Sequence, residues 1–155
     1  MAGYIAITTS DWINSIKANT ASSAVFWCKK KNFIALSSGE KFYFLEKGRF
    51  SSNADRFIVG YGEFTRFETI DSSLAWEKYS KALGFEEEQD FRNQIKSIYR
   101  SEQSFDLGCI VLNHVHFFKK KLSLAECDIE FSPYIVSGKK LDEEECLRID
   151  SKSKE

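Results

Sequence analysis

Apolar and polar positions change period several times along this chain, and each change marks an expected element. The run "YIAIT" is continuous and of strand length, and "TTSDWINSIKAN" after it carries Trp12, Ile13 and Ile16 at helical spacing behind Thr9 or Ser10 as a cap. "AVFWCKKKNFIAL" is apolar at both ends and basic in the middle, the pattern of a hairpin-like excursion. "SSGEKFYFLEKG" supplies a turn and an aromatic strand, and "RFIVGYGEFTRFE" a further strand with Gly60 and Gly62 in its interior. Interior glycines of that kind mark a bulge or a close approach to the backbone.

The period then lengthens. "DSSLAWEKYSKALGF" opens on an Asp-Ser cap and sets Leu74, Ala75, Tyr79 and Ala82 on one stripe, and "EEEQDFRNQIKSIYR" repeats the helical spacing through Phe91, Ile95 and Ile98. Trp76, inside the first stripe, is expected in the core. "DLGCIVLNHVHFF" returns to strand, "YIVSGKKLD" adds a short strand and a loop, and "SKSKE" closes the chain as a disordered tail. Strands, a helical insertion and strands again are not the alternation of a parallel sheet, so the expected class is α+β, a small mixed β-barrel flanked by helices.

Composition narrows the class. A chain of 155 residues fits one domain, and a domain of that size buries about 70% of its unfolded surface, enough for an independent core. Hydrophobic residues make up 43% of the chain and 14 are Phe, which describes a folded, unusually aromatic domain. Cys28, Cys109, Cys127 and Cys146 lack metal-site spacing and read as reduced thiols, which together with the absence of a long apolar run points to a cytoplasmic protein.

The 22 Lys and Arg nearly balance the 23 Asp and Glu, so any affinity for a polyanion has to come from local clustering. Cations do gather, at Lys29, Lys30 and Lys31, at Lys119, Lys120 and Lys121, and at Lys139 and Lys140, while acids gather in "FEEEQD" and "LDEEEC". In "SPYIVSGKKLD" a Ser-Pro start and a Ser-Gly turn place two lysines beside backbone N–H groups, the ingredients of an anion site. Catalytic patterns are missing by comparison. His114 and His116 share a strand face with no third ligand at metal spacing, no glycine-rich phosphate loop precedes a helix, and no Gly-x-Ser-x-Gly elbow occurs. The reading is a non-enzymatic chain that needs no metal or cofactor.

The series "YIAITTSDW", "VFWCKKKNFIALSSGEKFYFLEKG", "FIVGYGEFTRF", "SSLAWEKYSKALGF", "LGCIVLNHVHFF" and "PYIVSGKKLD" resembles the N-terminal domain of bacterial HNH restriction endonucleases, a PUA-like domain near the EVE and YTH branches. The resemblance spans residues 4 to about 148, with Tyr134 where that family carries Asn. It implies a PUA-like domain over residues 1–150, followed by a tail over 151–155, that reads a modified base in DNA while a separate HNH module cuts. No HNH motif follows in this chain, so the implied nuclease partner acts in cis or in trans.

A modified base inside a duplex has to be flipped out to be read, which costs a few kcal/mol and is recovered by stacking and by hydrogen bonds to the base edge. Trp12, Trp27 and Tyr61 are the expected aromatic walls. Asp11 is placed to accept from an exocyclic amine, as carboxylates do from cytosine N4, and Ser37 and Ser38 are candidates for the base edge. The three lysine clusters are the expected phosphate contacts. The alternatives left open are an RNA-binding PUA-like domain and a protein-interaction module that uses the acidic runs.

Overall fold

In the computed structural model, which describes residues 2–19, 22–47, 56–99, 105–132, 135 and 137–154, a six-stranded mixed sheet forms the frame. The strands are β1 (Gly3–Thr8), β2 (Ala24–Cys28), β3 (Lys41–Glu46), β4 (Phe57–Asp71), β5 (Asp106–Ser123) and β6 (Gly138–Leu141), in the spatial order β2-β5-β4-β3-β1-β6. β1 runs parallel to β3, and every other pair is antiparallel. A parallel pair needs a crossover, and here α1 (Ser10–Ala18) and β2 lie between its two members. α2 (Ser72–Tyr79), a 3-10 turn (Ser80–Leu83) and α3 (Glu88–Tyr99) separate β4 from β5, and α4 (Glu143–Ser153) follows β6.

The aromatic excess is housed by the alternation of β3. Phe42 and Phe44 face one apolar cluster with Tyr4, Trp12, Phe33 and Phe64, whereas Tyr43 and Leu45 face a second with Ile5, Phe118, Leu141 and Ile149; all four β3 side chains are fully buried. A strand covered on both faces reads as a continuous apolar run, which is why "KFYFLE" shows no polar alternation. A third cluster joins Val25, Leu107, Cys109 and Val111 to Ala75, Leu83, Phe91 and Ile95 of the helical insertion.

The mixed α+β class is observed, but the sheet does not close into the expected barrel. Each face buries its apolar side chains against its own helices or loops, so closure is not needed to hide them. The edges are handled otherwise: β6 is short and carries two lysines, and β2 is covered by the 3-10 turn through a hydrogen bond from Trp27 Nε1 to the Leu83 carbonyl at 3.0 Å. At Gly60 the register of β4 on β5 shifts, and a Cβ there would lie 2.9 Å from Phe117 Cα, so the interior glycine marks a bulge and a close backbone approach together.

Other expectations are corrected. Residues 24–36 form no hairpin, because β2 pairs with β5 and the segment after it is drawn onto the sheet by the buried Phe33 and Leu36. Leu74 stands 51% exposed while Ala75 is fully buried, since α2 is only two turns long and ends in the 3-10 turn. The lysines of "SGKK" lie in β6, whose backbone is paired to β1, and not in an open anion-binding turn. Tyr134 and Val136, expected in a strand, lie outside the described residues.

The end of the chain is helical through Ser153, where a tail was expected from 151. α4 is launched by a capping box in which Asp142 accepts from the Glu145 N–H at 2.9 Å and Glu145 accepts from the Asp142 N–H at 3.0 Å. It is fastened to β3 by Asp150, which takes the Tyr43 hydroxyl at 2.9 Å and the Lys41 ammonium at 3.1 Å.

Candidate functional site

A half-open cavity of about 880 Å³ lies where the end of β1 meets α1, β2 and the helical insertion. Ile7, Thr8 and Thr9 line it at the end of β1. Asp11, Trp12, Asn14 and Ser15 of α1 line one side, Phe26, Trp27 and Cys28 of β2 a second, and Phe85, Glu86, Asp90, Gln94 and Ile98 a third; Lys29 and Lys47 stand among the lining residues as its cations. Four of the residues singled out in the sequence, Asp11, Trp12, Trp27 and Lys29, therefore meet at one cavity.

Local chemistry sets this arrangement. Thr9 caps α1 by accepting from the Trp12 N–H at 3.3 Å, which fixes the first helical turn against the end of β1. The Trp12 indole donates to the Val25 carbonyl at 3.2 Å and meets Phe44 and Phe26 edge-on, with centroids 5.2 and 5.8 Å away. At 7% exposure it serves as core as much as wall. Trp27 is half-buried, tilted against Phe85 and edge-on to Phe91 at 6.2 and 6.1 Å. Both indole N–H groups are spent on backbone carbonyls, so what these rings offer a guest is aromatic surface.

The polar complement comes from Asp11, exposed in the first turn of α1, and from the amides of Asn14 and Gln94 and the hydroxyl of Ser15. Asn14, Ser15, Glu86, Asp90 and Gln94 were not singled out from the sequence, although the signal was present. Asn14 and Ser15 stand three and four residues after Asp11 on one helix face, and Asp90, Gln94 and Ile98 recur every four residues along α3. Cys28 also lines the cavity; burial raises its thiol above the ordinary value, and the Lys30 backbone and charge only partly oppose that. It is held as the neutral thiol, a poor nucleophile.

The other expected residues lie elsewhere. Tyr61 belongs to the opposite sheet face, packed on Tyr43 and Phe118 at 6.0 Å with the Lys41 ammonium 4.4 Å from its ring. Ser37 and Ser38 form an exposed turn, the Ser37 N–H donating to Glu40 at 2.7 Å. Lys30 lies over the Tyr4 ring at 5.9 Å, and Lys31 is exposed. Lys119 and Lys120 are exposed, and Lys121 is paired with Glu46 at 2.8 Å. Lys139 and Lys140 stand opposite Ile5 and Tyr4, so strand alternation sends them to different faces, and Lys139 lies 3.7 Å from Glu145. His114 is bonded to Glu63 and His116 packs on Tyr61; neither lines the cavity. Among the described residues no group of three or more His, Cys, Asp or Glu side chains could hold a metal ion.

No family model and no curated protein sequence matches this chain. Solved structures do. An ASCH protein from Zymomonas mobilis superposes with a TM-score of 0.66 at 14% identity over 96% of this chain and 94% of that one. The human THYN1 protein, solved in complex with DNA containing 5-methylcytosine, gives 0.57 at 14% identity over 100% of this chain and 99% of that one. A hypothetical protein from Leishmania major gives 0.53 at 13% identity over 99% and 95%. With its open mixed sheet, helical insertion and flanking helices, this chain shares the fold of the ASCH protein and of THYN1.

Proposed function

We propose that this chain is a nucleic-acid-binding domain that reads a modified base in DNA, a modified cytosine, by receiving the extruded nucleotide in the cavity between α1, β2 and α3. The observation that carries the reading is the convergence of Trp12, Trp27, Asp11 and Lys29 on one cavity of about 880 Å³, within the ~300–1,000 Å³ of small-ligand sites. Aromatic surface offsets the unstacking of a flipped base by ~1–3 kcal/mol per stacked ring. Asp11 accepts from the exocyclic amine, and Lys29 neutralises a phosphate at the rim. That THYN1, of like fold, was solved with 5-methylcytosine DNA supports the choice of ligand class. The likeness of the sequence motifs to HNH restriction enzymes supports a biological setting in which this domain is the recognition module of a modification-dependent endonuclease in the cytoplasm.

The test is a binding panel of otherwise identical duplexes carrying cytosine or a modified cytosine, with RNA counterparts. A preference of about tenfold or more for a modified duplex is expected, with no cutting in magnesium or manganese. Equal affinity across the DNA panel overturns base reading, stronger binding to RNA reassigns the cavity to RNA, and metal-dependent cleavage by the pure chain refutes a reader without a nuclease.

A further inference from the structure

The loop between β2 and β3 carries a feature that the cavity does not account for. Ile34 is 89% exposed, the most exposed of the large hydrophobic residues described, although both its flanks are tied down. Phe33 is buried against Tyr4 and Phe64, with centroids 5.2 and 5.6 Å away, and Leu36 is buried two residues beyond Ile34. The Gly39 N–H donates to the Phe64 carbonyl and the Phe64 N–H to the Glu40 carbonyl, both at 2.8 Å, so the loop base is stitched to β4. A single exposed isoleucine is by itself ordinary on a protein surface. Here a stiff, β-branched side chain is held outward by a pinned backbone.

Two further facts give that tip a partner. Lys29, Lys30 and Lys31, all exposed, stand three to five residues before it. Cys28 and Lys29 also line the cavity, and five residues of chain span at most ~18 Å, the rise of about five base pairs at ~3.4 Å each. The cavity rim and the tip therefore lie close enough together to reach one short stretch of a duplex. Taking a base out leaves a gap between its neighbours, and apolar side chains such as Ile serve as wedges between unstacked base steps. Resting on the reading that the cavity receives an extruded base, we propose that Ile34 enters the base stack at the vacated position while Lys29, Lys30 and Lys31 hold the adjoining phosphates.

The experiment compares the full chain with Ile34→Ala and Ile34→Leu on a duplex carrying one 5-methylcytosine and on the same strand unpaired. A 2-aminopurine placed beside the modified base reports unstacking. Ile34→Ala is expected to bind the duplex about tenfold more weakly and to lose the fluorescence rise, yet to bind the single strand within about twofold of the parent, because a single strand leaves no gap to fill. Ile34→Leu is expected to restore most of both signals, and melting temperatures to stay unchanged because the side chain packs against little. Duplex binding and fluorescence equal to the parent's in Ile34→Ala, alongside lost binding in Trp27→Ala, would refute the wedge and leave base reading intact. Equal weakening on duplex and single strand would make Ile34 a plain contact and overturn the wedge too. A parent chain that binds neither probe would overturn both readings.

Discussion

Two glycines with nearly the same positive φ allow the seating of Trp12 to be measured. Gly39 and Gly84 have φ of +93° and +94°, a conformation that costs an L-residue ~1–2 kcal/mol. Alanine at either position recovers ~0.4–1 kcal/mol by restricting the unfolded chain. Nothing lies within 4 Å of a Cβ built on Gly39, whereas one on Gly84 would stand 2.7 Å from Trp12 Nε1 and closer still to Cδ1. Gly39→Ala should therefore cost only the backbone difference, about 1 kcal/mol. Gly84→Ala should add the overpacking penalty of ~1–3 kcal/mol, because the indole is held in place by the Val25 carbonyl and by Phe26 and Phe44.

In a domain of this size ~1 kcal/mol is worth ~2–4 °C, so the expected drops are about 3 °C for Gly39→Ala and roughly 5–15 °C for Gly84→Ala. Urea titration of both variants beside the parent gives the free energies directly. Since Trp12 and Gly84 both line the cavity, the Gly84 variant should also lose discrimination for modified DNA under conditions where it is still folded. Losses equal to within about 0.5 kcal/mol would refute the reasoning, since they would mean that the indole yields without cost.

Trp27→Ala is expected to weaken binding to the preferred modified duplex by ~1–3 kcal/mol with the chain still folded, whereas Trp12→Ala should show first as a stability loss of ~3–5 kcal/mol; melting curves beside anisotropy titrations separate the two. Replacing Lys29, Lys30 and Lys31 by Ala should flatten the dependence of log K on log salt by up to about 3, at ~0.9 per phosphate contact. Lys139→Ala and Lys140→Ala should flatten it less, because β6 sends them to opposite faces and Glu145 already neighbours Lys139. Stability should fall in alkali. Burial pushes the Cys109 thiol from 9.0 up to about 12, and those of Cys127 and Cys146 up to about 11. The folded chain thus keeps protons that the unfolded chain releases, a contribution fully present below pH 9.0 and lost as the pH climbs to 11 and 12; urea midpoints unchanged between pH 8 and 11 would contradict it.

Much of this molecule follows from one-dimensional pattern. The apolar run of β1, the Thr9 cap with Trp12, Ile13 and Ile16 behind it, and the spacing of Phe91 and Ile95 are local signals, and each forms the element that its period demands. The capping box from Asp142 to Glu145 was equally local, and it starts the α4 helix that runs on to Ser153, into residues expected as a tail. Pairing was not local. A period of two states which residues share a face but not which strand lies alongside, so nothing in "AVFWC" told that it joins Gly108 to Leu112 of β5 instead of folding back on "NFIAL".

The same holds for the site. Asp11, Trp12, Trp27 and Lys29 stood out by residue type, but Tyr61, Ser37 and Ser38 stood out for the same reason and lie elsewhere, because a side chain's type does not tell which sheet face its strand turns inward. "SGKK" became a strand because β1 had an unpaired edge to offer, and its backbone groups are bonded there. The third wall of the cavity, Phe85 through Ile98, was decided only when the helical insertion packed beside β2 and the Leu83 carbonyl received the Trp27 N–H. The chain by itself determined which surfaces had to be buried and which residue types stood out as candidates for a site. Tertiary structure decided which of them meet, because a cavity is made by residues far apart in sequence whose proximity depends on the order of strands in the sheet.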